Sequence, residues 1–180
     1  ATGVCGTCNM QFAATVTQNG VTKCYVTLPE AVTAVNSATG TITLKLMKDS
    51  QEDSKLTFTQ SVTLDLNGKS ITNDITVEGN VILTLTDTAE NSTASGGRID
   101  GKEGSAIVVE SGTWDVITVN GTLQMRGGRV TTLRITDNAG SAVIGNGRVD
   151  KLDVANSANV RLTGGFFGEI VSSNGVAPTA

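Results

Sequence analysis

The 180-residue sequence contains no histidine. This absence excludes Ser-His-Asp and Cys-His catalysis, metal sites with histidine ligands, and pH switches that rely on imidazole. An enzyme built on this chain would have to use carboxylates, lysine, arginine or tyrosine. No cofactor is expected.

Aromatic residues and proline are also scarce. Aromatic residues make up 3% of the chain, whereas hydrophobic residues reach 38% and glycine numbers 21. A thin core of small β-branched side chains fits this balance, because a narrow interior has no room for many rings. The two prolines are Pro29 and Pro178. Strand ladders between them can therefore run without interruption.

Basic patches and long apolar runs are missing as well. The net charge is −4, the sequence pI is about 4.8, and no basic stripe stands against this overall charge. Nucleic acid is therefore not an expected partner. No apolar run approaches the roughly 20 residues that span a bilayer, and no secretion signal opens the chain, so membrane insertion is not expected. We interpret the chain as a mature or excised segment of a larger protein.

The three cysteines lie near the N-terminus, at Cys5, Cys8 and Cys24. The spacing of Cys5 and Cys8 is also that of zinc and redox motifs, but a structural zinc needs four ligands and a redox pair belongs in an α/β pattern that is not seen here. The sequence favours one disulfide from Cys24 to Cys5 or Cys8, which leaves one thiol over. Such a bond indicates an oxidising compartment.

One phrase recurs three times between residues 121 and 167. It reads GTLQMRGGRV at 121–130, GSAVIGNGRV at 140–149 and NVRLTGGFF at 159–167. Arg129 and Arg148 are 19 residues apart, and Arg148 and Phe166 are 18 apart. A period this short, carried by β-branched residues with glycine between them, predicts the stacked coils of a β-solenoid.

The solenoid is expected over residues 41–171, with residues 172–180 as a tail or linker. At about 18 to 22 residues per coil it should contain six to eight coils. An earlier Gly-Gly-Arg at 96–98 resembles the later phrase. Its Arg98 lies 31 residues before Arg129, a step that fits one enlarged coil or two compressed ones.

Residues 1–40 are expected to form an N-terminal cap. Two alternating segments flank Asn19-Gly20, and this dipeptide is a strong signal for a β-hairpin. Thr27 and Glu30 form a capping-box pair and Pro29 lies in the first turn, which predicts a helix over 27–38. A short amphipathic helix at this place would cover the open end of the first coil.

Three segments together resemble the opening of right-handed parallel β-helix domains in large surface proteins of Gram-positive bacteria. They are YVTLPEAV at 25–32, TITLKL with Lys48-Asp49 at 41–49, and TLDLNGKSI at 63–71, followed by Gly-Gly repeats at 127 and 164. The resemblance implies an all-β, right-handed parallel β-helix at the bacterial surface or secreted from the cell. It implies an adhesin-like role with host or microbial glycans or surface proteins as partners. Polysaccharide-degrading β-helices are more distant members, so the resemblance leaves the activity open.

Arg98, Arg129 and Arg148 occupy matching places in the repeated phrase. They could form a basic ladder that grips acidic sugars, because a guanidinium pairs with a carboxylate or sulfate through two hydrogen bonds. The alternative is that they flank turns and keep the acidic chain soluble. Trp114 and one ring of the Phe166-Phe167 pair could stack on a sugar, or else pack at a corner or an end.

Asp100 and Asp150 follow the phrase at matching places. If the 31-residue step were a single coil, their carboxylates would lie about 10 Å apart, near the upper limit for an inverting glycosidase. Asp137, Asn138 and Asp153 join Asp150 as oxygen ligands that calcium could use, but no EF-hand or nonapeptide spacing supports a metal site. Ordinary turn and surface roles are favoured for all of them.

The function favoured is a non-enzymatic extracellular adhesin or stalk that presents ladders of side chains to glycans or proteins. The first alternative is a polysaccharide lyase or glycoside hydrolase that uses Asp and Arg on one face. The second is a purely structural spacer, with further coils or another chain at its C-terminal end.

Overall fold

The computed structural model describes residues 11–51 and 54–172. In chain order the elements are β1 (Ala14–Gln18), β2 (Val21–Tyr25), α1 (Leu28–Asn36), β3 (Ile42–Leu46), β4 (Leu56–Phe58), β5 (Val62–Asp65), β6 (Ile75–Val77), β7 (Ile82–Thr86), β8 (Ser95–Gly101), β9 (Ala106–Val109), β10 (Thr113–Val119), β11 (Thr122–Met125), β12 (Arg129–Ile135), β13 (Ser141–Ile144), β14 (Arg148–Val154), β15 (Val160–Leu162) and β16 (Phe166–Ser172).

The strands from β3 to β16 wind into a parallel β-solenoid of about seven turns. Each turn contributes one odd-numbered strand to a first sheet and the following even-numbered strand to a second sheet. Each strand pairs in parallel with its counterpart in the next turn. The repeated phrase therefore predicted the architecture correctly, and parallel pairing excludes a β-sandwich. The 31-residue step resolves into two coils, because Arg98 pairs with Val116 and Val116 with Thr132.

The core consists of stacked apolar columns, one residue per turn. In the first sheet the column runs through Leu44, Leu64, Leu85, Val109, Met125, Ile144 and Leu162. In the second sheet it runs through Ile75, Ile99, Ile117, Leu133, Leu152 and Ile170. All members except those in the last coil are buried. Burial of small aliphatic side chains explains how a chain with so few rings forms a continuous core.

Each long strand of the second sheet turns a corner. In β10, Trp114 and Ile117 are buried, whereas Asp115 and Val116 between them both reach the surface. Strict alternation would bury one of these two residues. The same pattern recurs in β12 and β14, so the outward pairs stack into a ridge that runs along the solenoid.

A hairpin and a helix cover the N-terminal end. Strands β1 and β2 pair antiparallel around Asn19-Gly20, where both residues have positive φ, and β1 also pairs antiparallel with β3. Helix α1 begins after the N-cap Thr27, whose side chain accepts from the Glu30 N–H while Glu30 accepts from the Thr27 N–H. Both predicted features are present, and the reversal of strand direction at β1 ends the parallel stack.

A buried carboxylate holds the turn after β5. Asp65 accepts hydrogen bonds from the Asn67 N–H at 2.9 Å, and from the Thr88 N–H and hydroxyl at 3.0 and 2.7 Å. The Lys45 Nζ lies 3.3 Å from the same carboxylate. The Leu-Asp-Leu-Asn-Gly phrase therefore links three successive coils at a turn, which is a structural role.

Candidate functional site

Arg129, Arg148 and Phe166 form one column on the outside of the second sheet. Arg129 pairs with Arg148 across β12 and β14, and Arg148 pairs with Phe166 across β14 and β16. Both arginine side chains are about half exposed, and Phe166 is 55% exposed. The guanidinium carbon of Arg148 lies 4.5 Å from the centre of the Phe166 ring, in cation–π geometry.

Asp150 joins the two arginines. Its Oδ2 accepts from Arg129 Nε at 2.9 Å and Nη2 at 2.6 Å, and its Oδ1 accepts from Arg148 Nε at 2.6 Å. These hydrogen bonds, those from Arg129 first, hold the pKa of Asp150 below its usual 3.8. The carboxylate fixes two long side chains that would otherwise sample many rotamers. We call this set of four residues, Arg129, Arg148, Asp150 and Phe166, the arginine cluster.

The arginine cluster predicts a pH-dependent stability difference for Asp150→Asn. The pKa of Asp150 is lower in the folded state than in the unfolded state. The ionised carboxylate therefore contributes its full stabilisation at pH values above the unfolded-state pKa, and this stabilisation is lost as the pH falls through the folded-state pKa. The wild type should be modestly more stable than Asp150→Asn at pH 6, and this difference should be smaller at pH 2, because the contribution is lost as Asp150 becomes protonated. Urea denaturation at both pH values measures it.

Asp115→Asn is the control for this prediction. Asp115 also lies on the corner ridge, but no ion pair joins it to another described residue. Its effect should be smaller than that of Asp150→Asn at pH 6. A deficit of Asp150→Asn that stayed constant down to pH 2 would contradict the clamping role of the carboxylate.

The prediction that Arg98 continues the arginine ladder is wrong. The strand pairing aligns Arg98 with Val116, Thr132 and Lys151, whereas Arg129 aligns with Thr113 and Arg148. Arg98 is therefore displaced by three positions along the strand. The reason is that Gly96 and Gly97 lie inside β8, whereas Gly128 lies in the turn before β12 with a φ of +75°.

Trp114 is not available to a ligand. Its side chain is fully buried, and its Nε1 donates to the Ser111 carbonyl at 2.9 Å. The indole lies over Gly96 in the preceding coil, where a side chain would overlap the ring. Of the two readings of this residue, packing at the core is correct. Of the Phe166-Phe167 pair, Phe167 is partly buried against the core and Phe166 faces outward.

The proposed catalytic pair of Asp100 and Asp150 is wrong in its geometry. Asp100 aligns with Thr118, Arg134 and Asp153, so it lies three strands and three positions away from Asp150. Three strand spacings alone amount to roughly 14 Å, beyond the separation used by glycosidases. Both carboxylates are also ion-paired, Asp100 with Lys102 and Asp150 with the two arginines.

The oxygen ligands weighed for calcium have other partners. Asp137 Oδ1 accepts from the Ser157 N–H at 3.1 Å and hydroxyl at 2.6 Å, which lowers the pKa of Asp137. Asp153 lies 3.9 Å from Arg134. Asn138 is exposed in the turn that follows β12. Within residues 11–51 and 54–172, no group of three or more His, Cys, Asp or Glu side chains could hold a metal ion.

Of the cysteines, Cys24 lies exposed on β2, pairing with Thr15 of β1. Cys5 and Cys8 lie outside the described residues, so the disulfide from Cys24 stays a prediction. Mass spectrometry after alkylation without reductant tests it. No helix in the described part of the chain has the length and apolar character needed to cross a membrane.

The chain matches no family model, no curated protein and no solved structure. The strand pairing alone therefore establishes the fold. Inferences about activity, setting and partners must rest on the side chains that the solenoid displays.

Sequence reasoning missed the connecting role of Asp150. The available signal was the Arg148-Val149-Asp150 spacing, because residues two apart in a strand point to the same side. The second arginine in the clamp comes from the neighbouring coil. The contact between Arg129 and Asp150 depends on the register between coils. The sequence spacing predicted this register for Arg129 and Arg148 but not for Arg98.

Proposed function

We propose that this chain is a non-enzymatic, extracellular β-solenoid domain that binds acidic glycans through the arginine cluster. The observation that carries the proposal is the pairing of two half-exposed arginines in adjacent coils, held by one carboxylate beside an exposed ring. Right-handed winding and a place on the surface of a Gram-positive bacterium belong to the same proposal, through the resemblance described above.

The arginines retain donors for a ligand. In the described structure, Arg129 uses Nε and Nη2 on Asp150, and Arg148 uses only Nε. The remaining Nη groups can donate to a carboxylate or sulfate in paired geometry. The cluster also carries two positive charges against one negative charge, so it retains attraction for an anion.

The exposed ring suits the apolar side of a sugar. Phe166 lies one strand beyond Arg148, about 4.8 Å along the solenoid axis, a step similar to the length of a sugar residue. When a carboxylated sugar residue binds the two arginines, the next sugar residue of the glycan would lie over the Phe166 ring. Aromatic rings at binding sites provide contact area of this kind with little loss of entropy.

A glycan array tests the proposal with the purified domain, Arg129→Ala/Arg148→Ala and Arg126→Ala. Arg126 is an arginine of similar exposure that follows β11, forms an ion pair with Glu110 and is not a member of the arginine cluster. The wild type should bind carboxylated or sulfated glycans, and the double variant should bind at least about tenfold more weakly, because each charged hydrogen bond contributes about 1.5–3 kcal/mol.

The control variant Arg126→Ala should retain binding to within about twofold. Equal binding by the wild type and the double variant would contradict the proposal. Equal losses in the double variant and in Arg126→Ala would show that overall charge, rather than the arginine cluster, attracts the glycan.

A spacer role is the second candidate, favoured by the last coil. Leu162 and Ile170 occupy the core columns but are 43% and 39% exposed, whereas Ile144 and Leu152 below them are each 1% exposed. A further coil in the same parallel register would cover them. A folded domain that binds nothing on the array would favour this spacer over the glycan-binding domain.

A further inference from the structure

A depression with unpaired charges lies beside the arginine cluster. It has a volume of about 330 Å³ and is bordered by Thr72, Asp74, Gly97, Arg98, Asp115 and Thr131. We call it the ridge depression, because it interrupts the outward ridge at the corner of β8, β10 and β12. Its volume falls in the lower part of the range for small-molecule sites, about 300–1,000 Å³.

Glycine produces the depression. Gly97 aligns with Asp115, Thr131 and Asp150 in the following three coils. The alignment follows from strand pairing, because the residue before and the residue after each of these positions pair with their counterparts in the next coil. A Cβ at Gly97 would lie 2.7 Å from the Asn73 carbonyl oxygen, so the close approach of the preceding coil requires a residue without a side chain. The floor of the depression is therefore backbone.

The charges around the ridge depression differ from those on the rest of the second sheet. Asp100, Asp150, Lys151 and Glu169 all form ion pairs. Asp74, Arg98 and Asp115 are exposed, and none of their side chains has an ion-pair or hydrogen-bond partner among the described residues. Together with the hydroxyl groups of Thr72 and Thr131, these side chains offer hydrogen-bond acceptors and donors to a ligand in the ridge depression.

The ridge depression lies within one sugar residue of the arginine cluster. Thr131 and Arg129 are two residues apart on β12, about 6.6 Å between Cα atoms. Thr113, which pairs with Arg129, borders both the ridge depression and a second hollow that Arg129 itself lines. One extended ligand can therefore occupy both places.

We propose that the ridge depression binds an uncharged, hydroxyl-rich sugar residue next to the acidic residue held by the arginine cluster. The inference rests on the proposed function. Asp74 and Asp115 accept from sugar hydroxyls and Arg98 donates to them, whereas a second carboxylate there would face two like charges. The preferred ligand is a polysaccharide in which acidic and neutral residues alternate, rather than one that is acidic at every residue.

Calorimetric titration of the whole chain tests the inference with two probes of equal length. One is an alternating oligosaccharide of glucuronate and N-acetylglucosamine, and the other is an oligogalacturonate with a carboxylate on every residue. The alternating probe should bind the wild type at least about tenfold more tightly. Asp74→Asn/Asp115→Asn should raise the affinity for oligogalacturonate at least fivefold, and should change that for the alternating probe by less than about threefold.

Glu78→Gln/Glu103→Gln is the matched control, because it removes the same charge at exposed positions outside the ridge depression. It should leave the preference between probes unchanged. Equal affinity of the wild type for both probes, or no gain for oligogalacturonate beyond that of the control, would overturn the inference while the arginine cluster remained a binding site. Failure of the wild type to bind either probe would overturn the proposed function itself, and the inference with it.

Discussion

Gly121→Ala is expected to lower the free energy of unfolding by about 3 kcal/mol or more. A Cβ at Gly121 would overlap the carbonyl oxygen of Ser105 in the preceding coil, far inside the 3.5–4.0 Å at which atoms pack best. That oxygen also accepts the Thr122 N–H at 2.8 Å. The new methyl group must therefore push β11 away from β9 and break a bond between coils. Urea denaturation followed by circular dichroism measures the loss.

Gly140→Ala is the control, because it makes the same change one coil later. Gly140 aligns with Gly121, since Thr122 pairs with Ser141. A Cβ there would meet the Thr122 Cγ2 at 3.5 Å and the Gly121 carbonyl oxygen at 3.9 Å, which are ordinary contacts. Gly140→Ala should change stability by less than about 1 kcal/mol. Similar losses in the two variants would contradict the register between β9, β11 and β13.

Trp114→Ala is expected to cost about 3–5 kcal/mol, because it removes the largest fully buried side chain of the described core. The same change should make Gly96→Ala much less harmful. A Cβ at Gly96 would overlap the Trp114 ring, which supplies its three nearest atoms. Once the indole is replaced by a methyl group, the space above Gly96 becomes available.

A double-mutant cycle measures this coupling. Gly96→Ala alone should destabilise by about 2 kcal/mol or more, and by less than about 1 kcal/mol in the Trp114→Ala background. Ile117→Ala is the control background, because Ile117 is a fully buried residue of the same strand that pairs with Ile99, three positions beyond Gly96. Additive costs in the Trp114→Ala background would contradict the packing of the indole on Gly96.

Local signals in the sequence predicted the parts of the fold that local chemistry determines. The capping box at Thr27 and the Asn19-Gly20 turn act over a few residues, and both appear as expected. The spacing of Arg129 and Arg148 also predicted their pairing in adjacent coils.

The errors in placing side chains arise because coils differ in length and because each long strand of the second sheet turns a corner. Gly-Gly at 96–97 and at 127–128 look alike in sequence, but the first pair makes room for Trp114 and for the preceding coil, whereas the second forms a turn. The corner at Asp115 and Val116 breaks the alternation that predicts which side chains are buried. These features depend on neighbouring coils, so Arg98 and Trp114 could not be placed from spacing alone.

The most direct measurement is an NMR titration of the arginine Nε–H signals of the ¹⁵N-labelled domain with the alternating acidic oligosaccharide. The signals of Arg129 and Arg148 should shift together and saturate, because their guanidinium groups bind the carboxylate. Those of Arg126 and Arg161, outside the cluster, should stay in place. Saturable binding that moved Arg126 or Arg161 and left Arg129 and Arg148 unchanged would contradict the arginine cluster as the binding site.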